Sequence, residues 1–106
     1  MTKFVLLYSG GGMPETEEEQ AVVMAAWGAW YQGMGEAVFD PGNPFAPGAV
    51  NIASDGTVSD GAAPSTGYTI VTADTIDAAV ALAKGCPNLT SGGTVSVYET
   101  FDIPDM

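Results

Sequence analysis

The chain has 106 residues, 46% of them hydrophobic and 14% charged, and its thirteen carboxylates face only two lysines, with no arginine and no histidine, for a net charge of −11. Such a charge repels phosphate backbones and anionic membrane surfaces, which excludes nucleic acid and membrane as expected partners and disfavours phosphorylated substrates. At this length one core, a single domain over residues 1–106, is expected to bury about 60–70% of the surface of the unfolded chain.

The run KFVLLYS (3–9) is apolar on both alternating faces, with Phe4, Leu6 and Tyr8 on one and Val5 and Leu7 on the other, and predicts a strand buried on both sides. SGGGMP (9–14) follows at a strand-to-helix junction but lacks the lysine and hydroxyl of a phosphate-binding loop, so it reads as a plain connection. Thr16-Glu17-Glu18-Glu19 matches a capping box and opens a helix whose Val23, Trp27, Trp30 and Met34, with Ala26 and Tyr31 beside them, form one core-facing stripe. Gly33 and Gly35 end it.

EAVFD (36–40) reads as a second strand, after which Pro41, Pro44 and Pro47 rule out regular pairing. AVNIAS and TVSD flank Asp55-Gly56, which predicts a hairpin with a two-residue turn. GYTIVTA (67–73) is another strand. Asp74 or Thr75 then caps a second helix with Ile76, Ala79, Val80 and Ala83 on its buried side; Gly85 stops it and Pro87 is expected to prevent its resumption. TVSVYETF (94–101) closes the chain as a strand.

This order predicts an α+β fold, a ferredoxin-like βαββαβ sandwich with an inserted β-hairpin. Two helices of this length cover one face of a four-stranded sheet, yet the first strand is apolar on both faces. The economical cover for the other face is a second copy, sheet against sheet, so a homodimer is expected.

Chemistry-bearing residues are few. Asn51, Asp55 and Asp60 lack the alternating oxygen ligands and terminal glutamate of a calcium loop. The single cysteine, Cys86, cannot form an internal disulfide, and without histidine it supplies neither a zinc site nor an activated nucleophile. No cofactor and no metal are implied, and a reducing, cytoplasmic setting is the simplest expectation. No signal peptide is expected, so the acceptor sequence Asn88-Leu89-Thr90 is expected to stay unmodified. Asp40, after an apolar strand and before prolines, fits either a partly buried general base or an Asx turn. Tyr8, Tyr68 and Tyr98 lie on three strands that can converge on a pocket.

Taken together, DGTVSDG (55–61), GYTIV (67–71), DTIDAAVALAKGCP (74–87) and GTVSVYE (93–99), with FVLLY and GMGEAV upstream, resemble the YCII-related, or DGPF, family over nearly the whole chain. The resemblance implies a small dimeric α+β barrel, a fold whose members mostly have no established function. Here Asp60-Gly61 is followed by Ala62-Ala63, with a proline only at Pro64, in place of the family's Asp-Gly-Pro-Phe. The His-Asp pair that some branches are proposed to use does not carry over to a chain without histidine.

The expected function is binding of a small neutral or cationic, apolar molecule between the sheet and the first helix. Asp40, Asn43, Asp60 and Tyr68 are the polar candidates for that pocket, with Tyr8 and Trp27 beside them. The alternative is a lyase or isomerase in which Asp40 or Asp60 acts as general base without histidine. A third reading makes segment 41–48 a contact for another protein.

Overall fold

A computed structural model describes residues 1–11, 14–46, 48–61 and 65–104. In chain order the elements are β1 (Thr2–Ser9), α1 (Glu17–Met34), a 3₁₀ turn (Gly35–Ala37), β2 (Val38–Asp40), β3 (Val50–Ile52), β4 (Val58–Asp60), β5 (Ser65–Ala73), α2 (Ile76–Ala83), α3 (Pro87–Thr90) and β6 (Thr94–Glu99). Four strands form one antiparallel sheet in the order β2-β5-β1-β6, while β3 and β4 pair with each other as a separate two-stranded ribbon. Among the described residues, no helix is long and apolar enough to cross a membrane.

Strand alternation decides where the core lies. Phe4, Leu6 and Tyr8 of β1 and Thr69, Val71 and Ala73 of β5 point to one side, where they are buried against Ala79 and Ala83 of α2 and against Cys86. Val95 and Val97 of β6 extend this layer, and Trp27, Trp30 and Met34 of α1 pack over it. The opposite face carries Val5, Leu7 and Ile70, with Tyr98 opposite Val5 and Ser96 opposite Leu7. Lys3 and Phe39 meet on that side, the ammonium 4.1 Å from the ring centre.

The helices begin as their sequences dictate. Thr16 caps α1 by accepting the Glu19 N–H at 3.1 Å, and Thr75, rather than Asp74, caps α2 by accepting that of Ala78 at 3.1 Å. Glu17, Glu18 and Glu19 place negative charge at the positive end of α1. Although Val23, Trp27, Trp30, Tyr31 and Met34 face inward, no α1 residue is fully buried and Ala26 is exposed. The bond from Trp30 Nε1 to the Leu82 carbonyl, 3.0 Å, ties α1 to α2.

The second strand begins at Val38 after the 3₁₀ turn, Gly33 lies inside α1 while Gly35 follows its end, and the last strand stops at Glu99. Three further details differ from the sequence expectation. The ribbon turn has three residues, Ser54-Asp55-Gly56, because Ala53 pairs with Thr57 while the Gly56 N–H bonds back to the Ala53 carbonyl. Gly56, at φ +91°, supplies the left-handed residue of that turn, and Asp55 Oδ1 accepts the Thr57 N–H at 2.9 Å. Pro87 does not end helical structure but starts α3, where its missing N–H costs nothing. Finally, α2 is rolled toward Leu82, so Ile76 stays exposed while Ala79 and Ala83 approach the sheet.

Candidate functional site

Beyond Asp40 the chain does not leave the sheet. Segment 41–45 runs along the first half of β5 as an irregular strap, with Phe45 N–H bonded to the Thr66 carbonyl at 2.8 Å and a lone bridge between Pro44 and Gly67. The strap passes so close that a Cβ on Gly42 would collide with the Tyr68 carbonyl oxygen, and Gly42 also takes a positive φ of +73°. Only glycine fits there. Asp40 Oδ1 accepts the Gly42 N–H at 2.8 Å and sets this corner.

Between strap and α1 lies an open cleft of about 780 Å³. α1 contributes Gln20, Val23, Met24, Trp27 and Tyr31; the strap contributes Pro41 to Phe45; Tyr8, Gly67 and Asn88 close the inner end. Gly67 stands opposite Tyr8 in the ladder, so no side chain fills the space beside the phenol. Trp27 meets Tyr8 edge to face at 5.2 Å and lies tilted against Tyr31 at 6.0 Å, while Phe45 stacks on Tyr68 at 5.8 Å. No charged side chain lines the cleft among the described residues.

Its polar groups form one chain of neutral hydroxyls. Tyr8 donates to Thr69 Oγ1 at 2.5 Å, Thr69 donates to the Pro41 carbonyl at 2.9 Å, and the Tyr31 hydroxyl lies 3.2 Å from both Thr69 Oγ1 and that carbonyl. Burial pushes the Tyr8 phenol far above its ordinary value, against a smaller opposing effect of the Thr69 hydrogen bond. Cys86, beneath it, is likewise raised by burial and stays a thiol at neutral pH. Asn88 fastens the inner end, donating to the Thr94 carbonyl at 2.9 Å and the Ser9 carbonyl at 3.3 Å, so the asparagine of the acceptor sequence is buried.

Of the residues expected from sequence, Tyr8, Trp27, Asn43 and Tyr68 border the cleft together. Asp40 sits behind the strap in its turn, and Asp60 lies on the exposed ribbon opposite Val50; neither lines the cleft. Tyr98 is on the other face of the sheet. Gly61 after Asp60 closes the ribbon's base through its N–H to the Ala49 carbonyl at 2.8 Å, and the continuation at Ala62, Ala63 and Pro64 lies outside the described residues, as do Gly12, Met13 and Pro47. Sequence reading missed Tyr31, Thr69, Phe45 and Asn88 as site residues. Tyr31 is one turn from Trp27 and Thr69 shares the buried parity of Val71, so their positions were readable; Phe45 and Asn88 arrive through long-range contacts that carry no local signal.

No protein-family model matches the chain, and no curated protein matches it.

Proposed function

We propose that this chain is a small-molecule-binding protein of the YCII-related type, working as a homodimeric α+β barrel in the cytoplasm. The antiparallel order β2-β5-β1-β6, with the ribbon inserted between β2 and β5, supports a ferredoxin-like arrangement. The ligand is an apolar molecule, neutral or cationic, held in the cleft between α1 and the strap.

The observation that carries this reading is the cleft itself: about 780 Å³, walled by Tyr8, Trp27, Tyr31 and Phe45, with hydroxyls and carbonyls but no charge among its described lining. Ligand pockets commonly span about 300–1,000 Å³ and combine such apolar walls with a few polar groups. With thirteen carboxylates against two lysines, the surrounding field favours a cation over an anion. The general-base reading has less support, because the cleft holds no carboxylate among its described lining residues.

A thermal-shift panel of neutral aromatic, quaternary-ammonium and carboxylate compounds tests it. Neutral or cationic members should raise the Tm, and the Met24→Lys variant, altered at an exposed position on the cleft wall, should lose the response to cations. Stabilisation by carboxylates alone would refute the assignment.

A further inference from the structure

The β3–β4 ribbon is amphipathic, and among the described residues it joins no other sheet. Pairing of Val50 with Asp60 and of Ile52 with Val58 puts these four side chains on one face, and the Asn51–Ser59 pair on the other. Val50, Ile52 and Val58 are 58%, 70% and 61% exposed, so the apolar face looks into solvent. An isolated two-stranded ribbon is marginally stable in water, and among the described residues this one pairs with no other strand.

We infer that the ribbon is an arm that clasps the outer sheet face of a second copy of this chain. This rests on the homodimer reading and adds which residues of each copy meet. The outer face supplies the matching apolar surface: Val5, Leu7 and Ile70, rimmed by the exposed Phe39 and Tyr98. Charge complements shape. The outward positions of β1 and their partners on β5 and β6 carry Lys3, one of two lysines in the chain, and none of its thirteen carboxylates. The ribbon's apolar face carries a single charge, Asp60. At the β2 edge Asp40 stands opposite Ile70, so the cation belongs to the β1 side of this surface. Each copy thus presents an apolar face with one anion and another whose β1 side carries a cation, an arrangement that a two-fold symmetric interface can pair with itself.

The area is also sufficient. The exposed parts of Phe39, Val50, Ile52, Val58 and Tyr98 come to roughly 500 Å² per copy, so two copies reach the roughly 1,000 Å² at which specific interfaces begin, before Val5, Leu7 and Ile70 are counted.

Sedimentation velocity over a concentration series tests the clasp. Wild type should dimerise at micromolar concentration, and Ile52→Asp/Val58→Asp should weaken association at least tenfold with an unchanged far-ultraviolet spectrum. Lys3→Asp should weaken it as well, and combination with Asp60→Lys should restore it. A wild-type dimer whose affinity the ribbon variant leaves unchanged overturns the clasp while leaving the sheet-to-sheet dimer standing; a wild-type monomer overturns both. Should the ribbon variant misfold, a thiol-specific bifunctional reagent applied to Ile52→Cys/Tyr98→Cys/Cys86→Ser gives the same decision: covalent dimer if the arm reaches the partner's sheet, monomer if it does not.

Discussion

The Tyr8 hydroxyl donates to Thr69 Oγ1 across the β1–β5 ladder, one diagonal step from the direct partners Leu6 and Thr69. This contact joins core and cleft, because Thr69 is buried among the apolar side chains and donates its own hydrogen bond to the Pro41 carbonyl of the strap. A buried hydroxyl without a partner costs about 1–3 kcal/mol. Thr69→Val should therefore destabilise the fold by about that amount in urea titration, since it strands the Tyr8 phenol. Tyr8→Phe/Thr69→Val should cost less than the sum of the single changes, the signature of a coupled pair.

Two glycines with positive φ should respond differently to alanine. At Gly42 the new methyl would collide with the Tyr68 carbonyl, a backbone atom that cannot move aside, whereas a Cβ on Gly56 would meet nothing within 4 Å among the described residues. Gly42→Ala should cost more than about 3 kcal/mol or prevent folding, while Gly56→Ala should cost about 1 kcal/mol, the ordinary strain of a left-handed alanine. Chemical denaturation of both variants checks the ranking.

Alkaline pH should unfold the protein through its buried acids. Cys86 and Tyr8 are both raised in the folded state above their ordinary values of 9.0 and 10.0. Each group's contribution is fully present below its unfolded pKa and is lost as pH climbs toward the folded one, because the unfolded chain releases its proton first. Stability should fall from about pH 9 upward, by as much as ~1.4 kcal/mol per pH unit for each group. Cys86→Ala should lessen the slope between pH 9 and 10; equal slopes in both proteins would count against this account.

Salt should tighten self-association. Two copies that each carry a net charge of −11 repel, and screening at about 0.5 M salt removes most of that repulsion between exposed groups. The dimer Kd should fall between 50 mM and 500 mM sodium chloride, within the ranges where screening changes most. A Kd that rises instead would mean that a few ion pairs, and not apolar contact, hold the copies together.

Much of the fold was legible because its signals are local. Alternation in KFVLLYS separated Phe4, Leu6 and Tyr8 from Val5 and Leu7, and Thr16 stood where the first helix begins. Ser54-Asp55-Gly56 shows the limit: an Asp-Gly pair marks a hairpin, but the added turn residue depends on which neighbours pair, here Ala53 with Thr57. The roll of α2 away from Ile76 depends on how closely Ala79 and Ala83 approach the sheet, a packing outcome that periodicity alone leaves open. At the candidate site, Tyr8 and Trp27 could be read from stripes, whereas the strap that seats Asn43 and Phe45 against β5 follows from contacts with Thr66 and Gly67 more than twenty residues away.

Trp27 stands in the cleft wall, with Trp30 beside it the only other tryptophan, so indole emission reports directly on occupancy. Titration with the neutral and quaternary-ammonium compounds that raise the Tm should give a saturable emission change. Phe45→Ala, which removes the facing wall at a half-exposed position, should weaken it at least tenfold. An emission change produced only by anionic compounds, or none from any compound at millimolar concentration, would contradict the assignment of this cleft as a binding site for neutral or cationic ligands.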